Sequence, residues 1–444
     1  MKSKMRIFNL ALTALLFVSI ISCKSSSTNT PPEEVFNLTT SVMPEEGGTL
    51  TPSSGTFDRG TTIDITVNEN ELWVFDRWEG DLDGNLPVVS LTFDRDKNIA
   101  AVFEKIQNPL FAMGYNHNGQ LGDRTAADRP DPLLSINNVK TVAAGSWHSL
   151  AIKNNGTLWG MGYNQFGQLG DGTVVDRHSP VMIAPDVSEI SGGERHSIFV
   201  TVDGTLYAMG DNGEGQLGDG TTTMRVNPIQ VDTDVKSVAV GEWHSLYIKN
   251  DGSLWGMGRN TDTQLSSDTT ALFYLNPVQI DSDVIKVAAG DRFTLYIKSN
   301  GSLWAVGGNA SGQLGDGTLT NRTEPYQVTT DVIYAAAGRD HSLFITSDGT
   351  MLGMGNNIDG QLGIESDGIV IRNPAVIDSD VTNASGGNRH TVYIKGDGTL
   401  WTMGLNENGQ LGDGTTTQRV NPSMVDTDVV QVAAGILHSL YIKE

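Results

Sequence analysis

The sequence of 444 residues contains one cysteine, Cys23, and only eight histidines. A single cysteine cannot form an intramolecular disulfide framework, and it cannot build a cysteine-based zinc site. Positive charge is also scarce, because 29 lysines and arginines face 52 acidic residues and leave a formal net charge of −23. We therefore predict no nucleic-acid partner, since such a partner is usually recruited by a basic surface.

Long apolar runs are scarce as well, and one run, from Ile7 to Ile21, follows a basic N-terminus. It is too short to span a bilayer as a mature helix, and its basic flank predicts a signal peptide over residues 1–22. The segment Ile20–Cys23 resembles the bacterial lipobox. That resemblance implies cleavage before Cys23, which then carries lipid, such as palmitate, at the new N-terminus; the alternative is a plain secretory signal with a chance cysteine.

The segment after the lipobox is rich in serine, threonine, asparagine and proline. Residues 23–35 are therefore predicted to be a lipidated flexible tether. Lys24 occupies the position where an aspartate favours inner-membrane retention in some bacteria. The resemblance thus implies a cell-envelope protein, lipid-anchored at the outer membrane, and leaves open whether it faces the periplasm or the cell surface.

Residues 36–105 alternate short β-type runs with turn signals, which predicts a small all-β domain. The string GGTLTPSSGTFDRGTTIDITV, followed by FDRWEGD and DKNIAAVFE, resembles the internalin-type bacterial repeat and implies a stalk module. Residues 81–85, with the sequence DLDGN, suggest a calcium loop. The other ligands of such a loop are absent, however, so we predict a plain turn and no metal site.

From residue 107 to 444 the sequence repeats itself seven times, with intervals of 48 or 49 residues. The core string is GQLGD, and its leucine recurs at Leu121, Leu169, Leu217, Leu265, Leu314, Leu362 and Leu411. A second string, AAGxxHSL, contributes His148, His196, His244, His341, His390 and His438, with Phe293 in the fourth copy. Each unit holds four β-type segments, which predicts a four-stranded sheet.

The turns between the last two strands of a unit carry Asn-Gly or Asp-Gly, which predicts two-residue type I′ hairpins. These pairs are Asn155-Gly156, Asp203-Gly204, Asp251-Gly252, Asn300-Gly301, Asp348-Gly349 and Asp397-Gly398. The array begins with a single strand near Phe111 and ends with its hairpin partner near Tyr441. We therefore predict that the N- and C-terminal strands pair to close a ring, which protects the sheet edges.

The strings LWxMGxNxxGQLGDG and VAAGxxHSLxIK resemble the repeat of the regulator of chromosome condensation (RCC) family over residues 107–444. The resemblance implies an all-β fold with a closed seven-bladed β-propeller. That family includes a nucleotide-exchange factor for a small GTPase and inhibitors of secreted β-lactamases. Neither activity transfers automatically to this chain, and we expect no nucleotide exchange, because the exchange factor uses an inserted β-wedge for which units of 48 or 49 residues leave no room.

Residues that recur once per unit are spread around a ring, and we assign them to the scaffold. By resemblance, the histidines hold each blade together through hydrogen bonds. Core packing is predicted for Trp159, Trp255, Trp304, Trp401, Met113, Met161, Met209, Met257, Met354 and Met403. Satisfaction of local backbone groups is predicted for Asn116, Asn164, Asn212, Asn260, Asn309, Asn357 and Asn406.

The two residues between AAG and the histidine differ from unit to unit, and function is expected where a rigid scaffold varies. Tryptophan and arginine, the residues of protein-interface hot spots, occupy five of the seven second positions. The predicted partner-binding residues are therefore Trp147, Arg195, Trp243, Arg292 and Arg389. The positions before the repeated asparagine add Tyr115, Tyr163 and Arg259 as rim contacts. The alternative is that these side chains pair with neighbouring acids and pack loops.

We predict an envelope-anchored, monomeric propeller that binds or scaffolds a protein and needs no cofactor. Glycan binding through exposed aromatics is the alternative. An enzyme with a site in the central channel is a further candidate, but the sequence offers little for it. His117 and His178, the histidines outside the repeat position, lie in different units, and no nucleophile elbow, P-loop or zinc motif is present.

Overall fold

The computed structural model describes residues 34–70, 72–265, 268–364 and 369–444. The predicted signal peptide, Cys23 and most of the predicted tether lie outside these residues. The chain divides into two compact units, Met1–Lys105 and Ile106–Glu444. In the described part of both units the regular structure is almost entirely β, and no helix there has the length and apolar character needed to cross a membrane.

The N-terminal unit consists of two small sheets around one core. Its elements are β1 (Val35–Met43), a 3₁₀ helix (Glu45–Gly47), β2 (Gly48–Thr51), β3 (Ser54–Asp58), β4 (Thr62–Glu69), β5 (Trp73–Gly80), β6 (Val88–Thr92) and β7 (Lys97–Lys105). The strand orders are β3-β1-β7-β5 and β2-β4-β6. Buried and exposed residues alternate along β7, so one face of the strand supplies Ile99, Ala101 and Phe103 to the core.

The turn after β5 uses its aspartate for local structure. Asp81 accepts a hydrogen bond from the Asn98 backbone amide at 2.7 Å and pairs with Arg95 at 2.6 Å. The described residues contain no group of three or more histidine, cysteine, aspartate or glutamate side chains arranged to hold a metal ion. The contacts of Asp81 agree with the plain turn that the sequence predicts.

Residues 106–444 form repeated four-stranded antiparallel sheets. The strands are β8 (Leu110–Gly114), β9 (Arg129–Ile136), β10 (Val139–Ala144), β11 (His148–Lys153), β12 (Leu158–Gly162), β13 (Arg177–Ala184), β14 (Val187–Gly192), β15 (His196–Thr201), β16 (Leu206–Gly210), β17 (Arg225–Asp232), β18 (Val235–Val240), β19 (His244–Lys249), β20 (Leu254–Arg259), β21 (Phe273–Asp281), β22 (Val284–Ala289), β23 (Phe293–Lys298), β24 (Leu303–Gly307), β25 (Arg322–Thr329), β26 (Val332–Ala337), β27 (His341–Thr346), β28 (Met351–Asn356), β29 (Val370–Asp378), β30 (Val381–Gly386), β31 (His390–Lys395), β32 (Leu400–Gly404), β33 (Arg419–Asp426), β34 (Val429–Ala434) and β35 (His438–Lys443).

We number the sheets along the chain. Sheets 1 to 6 take four consecutive strands each, namely β10–β13, β14–β17, β18–β21, β22–β25, β26–β29 and β30–β33. Sheet 7 has the order β34-β35-β8-β9, so it combines the last two strands of the chain with the first two of this unit. Within sheet 7, Phe111 lies opposite Tyr441, and their rings stack with centroids 5.2 Å apart.

The second strand of each sheet is buried on both faces, because neighbouring sheets pack against it from either side. In β11, Leu150 and Ile152 pack against Phe199 of sheet 2, whereas Ala151 belongs to a cluster with Leu440 of sheet 7. This two-sided burial explains why these strands have continuous apolar sequences rather than alternating ones.

The predicted two-residue type I′ hairpins are wrong. In the first of them, the Gly156 amide donates to Lys153 O and the Lys153 amide donates to Thr157 O, both at 2.9 Å, so the loop has three residues. Gly156 has a φ of +80°, whereas Asn155 is not among the residues with positive φ. This is a type I turn followed by a left-handed glycine, which accepts the same Asn-Gly sequence. The other five pairs place their glycine in the same way.

The repeated histidines join neighbouring sheets. His148 Nε2 lies 2.8 Å from Ser197 Oγ of sheet 2, and that hydroxyl donates to Gln168 O at 2.8 Å. The equivalent pairs are His196–Ser245, His244–Thr294, His341–Thr391, His390–Ser439 and His438–Ser149. The prediction of a structural hydrogen bond is confirmed, but the bond crosses to the next sheet instead of staying within one blade.

The other scaffold predictions are confirmed for asparagine and methionine and corrected for tryptophan. Each repeated asparagine accepts the backbone amide of the GQLGD leucine through its Oδ1 at 2.9–3.0 Å. The six methionines are at most 1% exposed. The four strand tryptophans, in contrast, are only half-buried. In each, the indole N–H donates to a threonine or serine hydroxyl at 2.8 Å, and a lysine ammonium lies over the ring.

Candidate functional site

A cavity of about 300 Å³ is lined by the first strand of every sheet and by the loop that follows it. We call it the central cavity. Its walls are alanine, glycine, valine and serine, and Tyr334 is the aromatic residue of the lining. Close packing demands these small residues: a Cβ added at Gly193 would lie 2.7 Å from Gly241 O and 2.8 Å from His196 Cε1.

The loops with variable residue pairs lie at one end of this cavity, which we call its rim. The first residue of each pair lines the cavity, and these are Ser146, Glu194, Glu242, Asp291, Arg339, Asn388 and Ile436. The predicted residues Trp147, Arg195, Trp243, Arg292 and Arg389 are the second residues of their pairs, and none of these five is part of the cavity lining. The signal in the sequence that could have identified the rim is the acidic first position of three consecutive units, Glu194, Glu242 and Asp291.

The second positions of units 2 and 3 form a mixed arginine and aromatic surface. The Arg195 guanidinium lies 4.6 Å from the ring centre of Phe166 and 5.1 Å from that of Trp243. The Arg259 guanidinium also lies over the Trp243 ring, 5.8 Å from its centre. We call these four residues the arginine–aromatic cluster. They come from three adjacent sheets, and Tyr163 extends the cluster through a ring contact with Phe166 at 6.2 Å.

Trp147 and Tyr115 form a second aromatic group. Their ring centres are 5.4 Å apart in an edge-to-face arrangement, and Tyr115 also packs against His117 at 4.6 Å. Both aromatic side chains are half-buried, and burial raises the pKa of the Tyr115 hydroxyl. Half-buried tyrosine and tryptophan are typical of interfaces, because each side chain combines a large apolar area with a polar end.

Arg292 and Arg389 fit the alternative better, namely that these side chains pair with neighbouring acids. Both are exposed, and they lie near acids: Arg292 Nε is 3.6 Å from Asp291, and Arg389 is 3.4 Å from Asp359. Among the described residues, no ring contact or ion pair joins either arginine to Trp147 or Trp243. The structure therefore brings Arg195 and Trp243 together, pairs Trp147 with Tyr115, and leaves the other two arginines as separate charged positions.

The rim carboxylates have unusual electrostatics. Burial raises the pKa of Glu194 to about 7, assisted by a hydrogen bond and like charge from Glu242 and opposed by Arg195. Arg195 Nε lies 3.2 Å from one Glu194 oxygen. Burial also raises the pKa of Asp340. At the far end of the lining, the Tyr334 hydroxyl donates to Ala384 O at 3.0 Å, and burial raises its pKa to about 12.

Comparison with protein families identifies both repeat types. The RCC1-like domain family matches residues 221–441, and two families described as the regulator of chromosome condensation (RCC1) repeat match 108–152 with 155–200, and 139–168 with 187–216. The divergent InlB B-repeat domain matches residues 38–107. The chain thus carries RCC1-like repeats and a divergent InlB B-repeat domain, as the sequence resemblances predicted. No curated protein matches the chain.

Solved structures share the fold of the repeats. Human WBSCR16 is 23% identical, with a TM-score of 0.68 over 76% of this chain and 99% of its own. Prp20p from Saccharomyces cerevisiae is 20% identical, with a TM-score of 0.68 over 76% of this chain and 91% of its own. Yeast RCC1 (Prp20), in a structure with Kap60, is 19% identical, with a TM-score of 0.69 over 76% and 89%. Identities this low establish an RCC1-like propeller fold and nothing further.

Proposed function

We propose that this chain, which carries RCC1-like repeats and a divergent InlB B-repeat domain, is a lipid-anchored, closed seven-bladed propeller that binds a protein partner. Closure is supported by sheet 7, which takes two strands from each end of the repeat array. It is further supported by the contacts that β10 of sheet 1 makes with both β14 and β34. A closed ring leaves only short edges exposed, and it gives the rim loops one rigid frame.

The division of the chain into functional parts is also a proposal. Residues 1–22 would be removed as a signal peptide, 23–35 would be the lipidated tether, 36–105 the stalk and 107–444 the propeller. The basic, apolar and cysteine-ended N-terminus supports this arrangement, together with the β domain that separates it from the repeats. The protein would then be held at the cell envelope, at the outer membrane, as a monomer.

The observation that carries protein binding is the arginine–aromatic cluster. Its side chains come from loops and strand ends of three sheets, whereas the other repeated positions hold the scaffold together. The guanidinium of Arg195 is held between two rings, so little conformational entropy remains to be lost when it meets a partner. Half-buried arginine and tryptophan side chains at one surface fit a partner with carboxylate and aromatic side chains.

Proteins of the same fold bind other proteins. Prp20p has been studied for its binding to Gsp1p and histones, and yeast RCC1 has been crystallised with Kap60. These partners belong to those proteins. They support a propeller that serves as a protein-interaction module, and they do not extend nucleotide exchange to this chain.

Replacing Trp147 and Trp243 by alanine should weaken partner binding. Each substitution is expected to cost about 2 kcal/mol or more, close to a 30-fold loss of affinity, if the tryptophans are hot spots. A pull-down from the surroundings of the producing cell, with the full chain as bait, would identify the partner, and calorimetry would measure the loss.

The matched control is Trp304→Ala/Trp401→Ala, because these tryptophans are equally half-buried but lie on strands away from the rim. This control should retain partner capture. Thermal melts of both double variants show whether the fold survives. Undiminished capture by the Trp147→Ala/Trp243→Ala variant would place the binding surface elsewhere, and binding to a glycan array without protein capture would favour the glycan alternative.

Cys23→Ser should release the protein from the membrane fraction. Each buried methylene of an acyl chain contributes about 0.8 kcal/mol to membrane binding, and the substitution removes the proposed attachment atom. Membrane fractionation and metabolic labelling with palmitate would compare the variant with the parent chain. A parent chain without label, or a variant that stays in the membrane fraction, would contradict the lipid anchor.

A further inference from the structure

Opposite the rim, the central cavity ends at a set of polar side chains. They are the third residues of the first strands of the seven sheets, and we call this set the polar end. Its members are Thr141, Glu189, Ser237, Lys286, Tyr334, Asn383 and Gln431. Tyr334 lines the cavity, and all seven residues have the same register, just after a break in the pairing of the first strand with the second.

On sheets 5 to 7 these side chains join neighbouring sheets. The Tyr334 hydroxyl donates to Ala384 O at 3.0 Å and lies 3.5 Å from Asn383 Oδ1. Gln431 of sheet 7 reaches sheet 1, where its Nε2 donates to Val142 O at 3.4 Å and its Oε1 accepts from the Val142 amide at 3.3 Å. This part of the polar end therefore belongs to the scaffold.

On sheets 1 to 4 the polar end has free side chains. Among the described residues, no side-chain hydrogen bond or ion pair involves Thr141, Glu189, Ser237 or Lys286. The four residues lie on adjacent strands, because β10 contacts β14, β14 contacts β18 and β18 contacts β22. One side of the cavity thus offers a carboxylate, an ammonium group and two hydroxyls that the fold does not use.

Glu189 and Lys286 face an enclosed space. Both are exposed to solvent, whereas the other five residues of the polar end are half-buried. Burial nevertheless raises the pKa of the Glu189 carboxyl, against the opposing charges of Lys286 and Lys140. A side chain that water reaches but protein surrounds faces a cavity instead of bulk solvent. Two opposite charges are therefore accessible at the same end of the cavity, and no ion pair joins them among the described residues.

We propose that the polar end of the central cavity binds a small zwitterion, a molecule with an ammonium group and a carboxylate on one short aliphatic frame. Its ammonium group donates to Glu189, and its carboxylate accepts from Lys286. Ser237, on the strand between them, adds a hydroxyl that can bind either group. The frame packs against Val238 and Val287, the lining residues that follow Ser237 and Lys286. A cavity of about 300 Å³ lies at the small end of the range for ligand sites, which limits the frame to a few carbon atoms.

Titration calorimetry with the full chain tests the need for both charges. It compares 4-aminobutyrate with butyrate and n-butylamine, which have a similar frame and one charge each. We expect 4-aminobutyrate to bind about tenfold or more tightly than either, because it alone satisfies Glu189 and Lys286 together. Glycine and 6-aminohexanoate vary the distance between the two charges and show which separation fits the site.

Two single variants assign each charge to its partner. Glu189→Gln should bind 4-aminobutyrate no more tightly than it binds butyrate, since the contact with the ammonium group is lost. Lys286→Gln should bind 4-aminobutyrate no more tightly than it binds n-butylamine. The matched control is Lys236→Gln, because Lys236 is exposed at the pairing break before Ser237, and it should leave the affinity unchanged. Melting curves check the fold of each variant.

The site is separate from the arginine–aromatic cluster. The Trp147→Ala/Trp243→Ala variant should therefore bind 4-aminobutyrate normally whether or not it captures a partner. Equal affinity for 4-aminobutyrate, butyrate and n-butylamine would reveal an unspecific ionic interaction and overturn the proposal. Unchanged zwitterion affinity in Glu189→Gln and Lys286→Gln would do the same, as would no binding of any of the three zwitterions at about 10 mM, which fills even a millimolar site.

Discussion

The free energy of unfolding of residues 106–444 should fall steeply when the pH is lowered from 7 to 5. The cause is the set of six histidines that join neighbouring sheets, which are completely buried. Burial lowers their pKa values from about 6.5 to about 3 or 4, and the residues are His148, His196, His244, His341, His390 and His438.

The sign follows from proton uptake on unfolding. Below pH 6.5 the unfolded chain protonates its histidines while the folded chain keeps them neutral, so stability present above that pH is lost as the pH falls. Each histidine lowers the free energy of unfolding by about 1.4 kcal/mol for each pH unit of acidification, and the six together lower it by about 8 kcal/mol per pH unit. Glu194 acts in the opposite direction. Its folded pKa of about 7 lies above its unfolded value, so the folded chain takes up one proton there and gains stability as the pH falls. With a total stability of roughly 5–15 kcal/mol, residues 106–444 should unfold before the pH falls to 4.

Urea unfolding at several pH values, followed by circular dichroism, measures the slope. The control is His341→Phe, which copies the phenylalanine that sheet 4 already carries at Phe293. This variant loses one hydrogen bond between sheets. The slope of its free energy of unfolding against pH should be smaller by about 1.4 kcal/mol per pH unit, which corresponds to one proton. Equal free energies of unfolding at pH 7 and pH 5 would show that the histidines are protonated in the folded state.

Deletion of residues 432–444 should destabilise the entire repeat array. It removes β35 and half of β34, and with them Val432, Leu440 and Ile442, whose burial is worth roughly 5–9 kcal/mol together. The deletion also breaks the histidine link from sheet 6 to sheet 7 and the link from sheet 7 to sheet 1. Because the total stability of a domain is typically 5–15 kcal/mol, we expect loss of cooperative unfolding or a large fall in Tm.

Peptide complementation is the control for this deletion. A synthetic peptide of residues 432–444 should restore the melting transition, because it can pair with β8 through the Phe111–Tyr441 register. The same peptide with Leu440→Asp/Ile442→Asp should not restore it, since both side chains are fully buried. An unchanged Tm after deletion would contradict closure of the ring by the chain ends.

Much of this fold could be predicted from local sequence because the sequence pattern of each strand recurs seven times. The hydrogen bond from each GQLGD leucine amide to the repeated asparagine joins residues five positions apart, so it depends on local sequence. The half-burial of the strand tryptophans was missed, because periodicity marks a position as structural without showing whether solvent reaches its outer side. The turn type was missed because Asn-Gly satisfies two backbone geometries, and only the hydrogen bonds between Lys153, Gly156 and Thr157 distinguish them.

The candidate site depended far more on tertiary structure. The sequence identified the variable pairs, but consecutive loop residues point in different directions, so it could not show that Glu194 lines the cavity while Arg195 lies between two rings. Nor could it place Glu242 beside Glu194, since the two belong to different sheets.

The sequence by itself determined the repeat length, the strand content, the scaffold residues and the pairing of Phe111 with Tyr441, because each of these follows from local pattern and from where the pattern starts and stops. Tertiary structure alone decided that His148 bonds to Ser197 of the next sheet, and which side chains meet at the rim. The physical reason is distance along the chain: these contacts join residues about one repeat apart, and their geometry is set by how the sheets pack on one another.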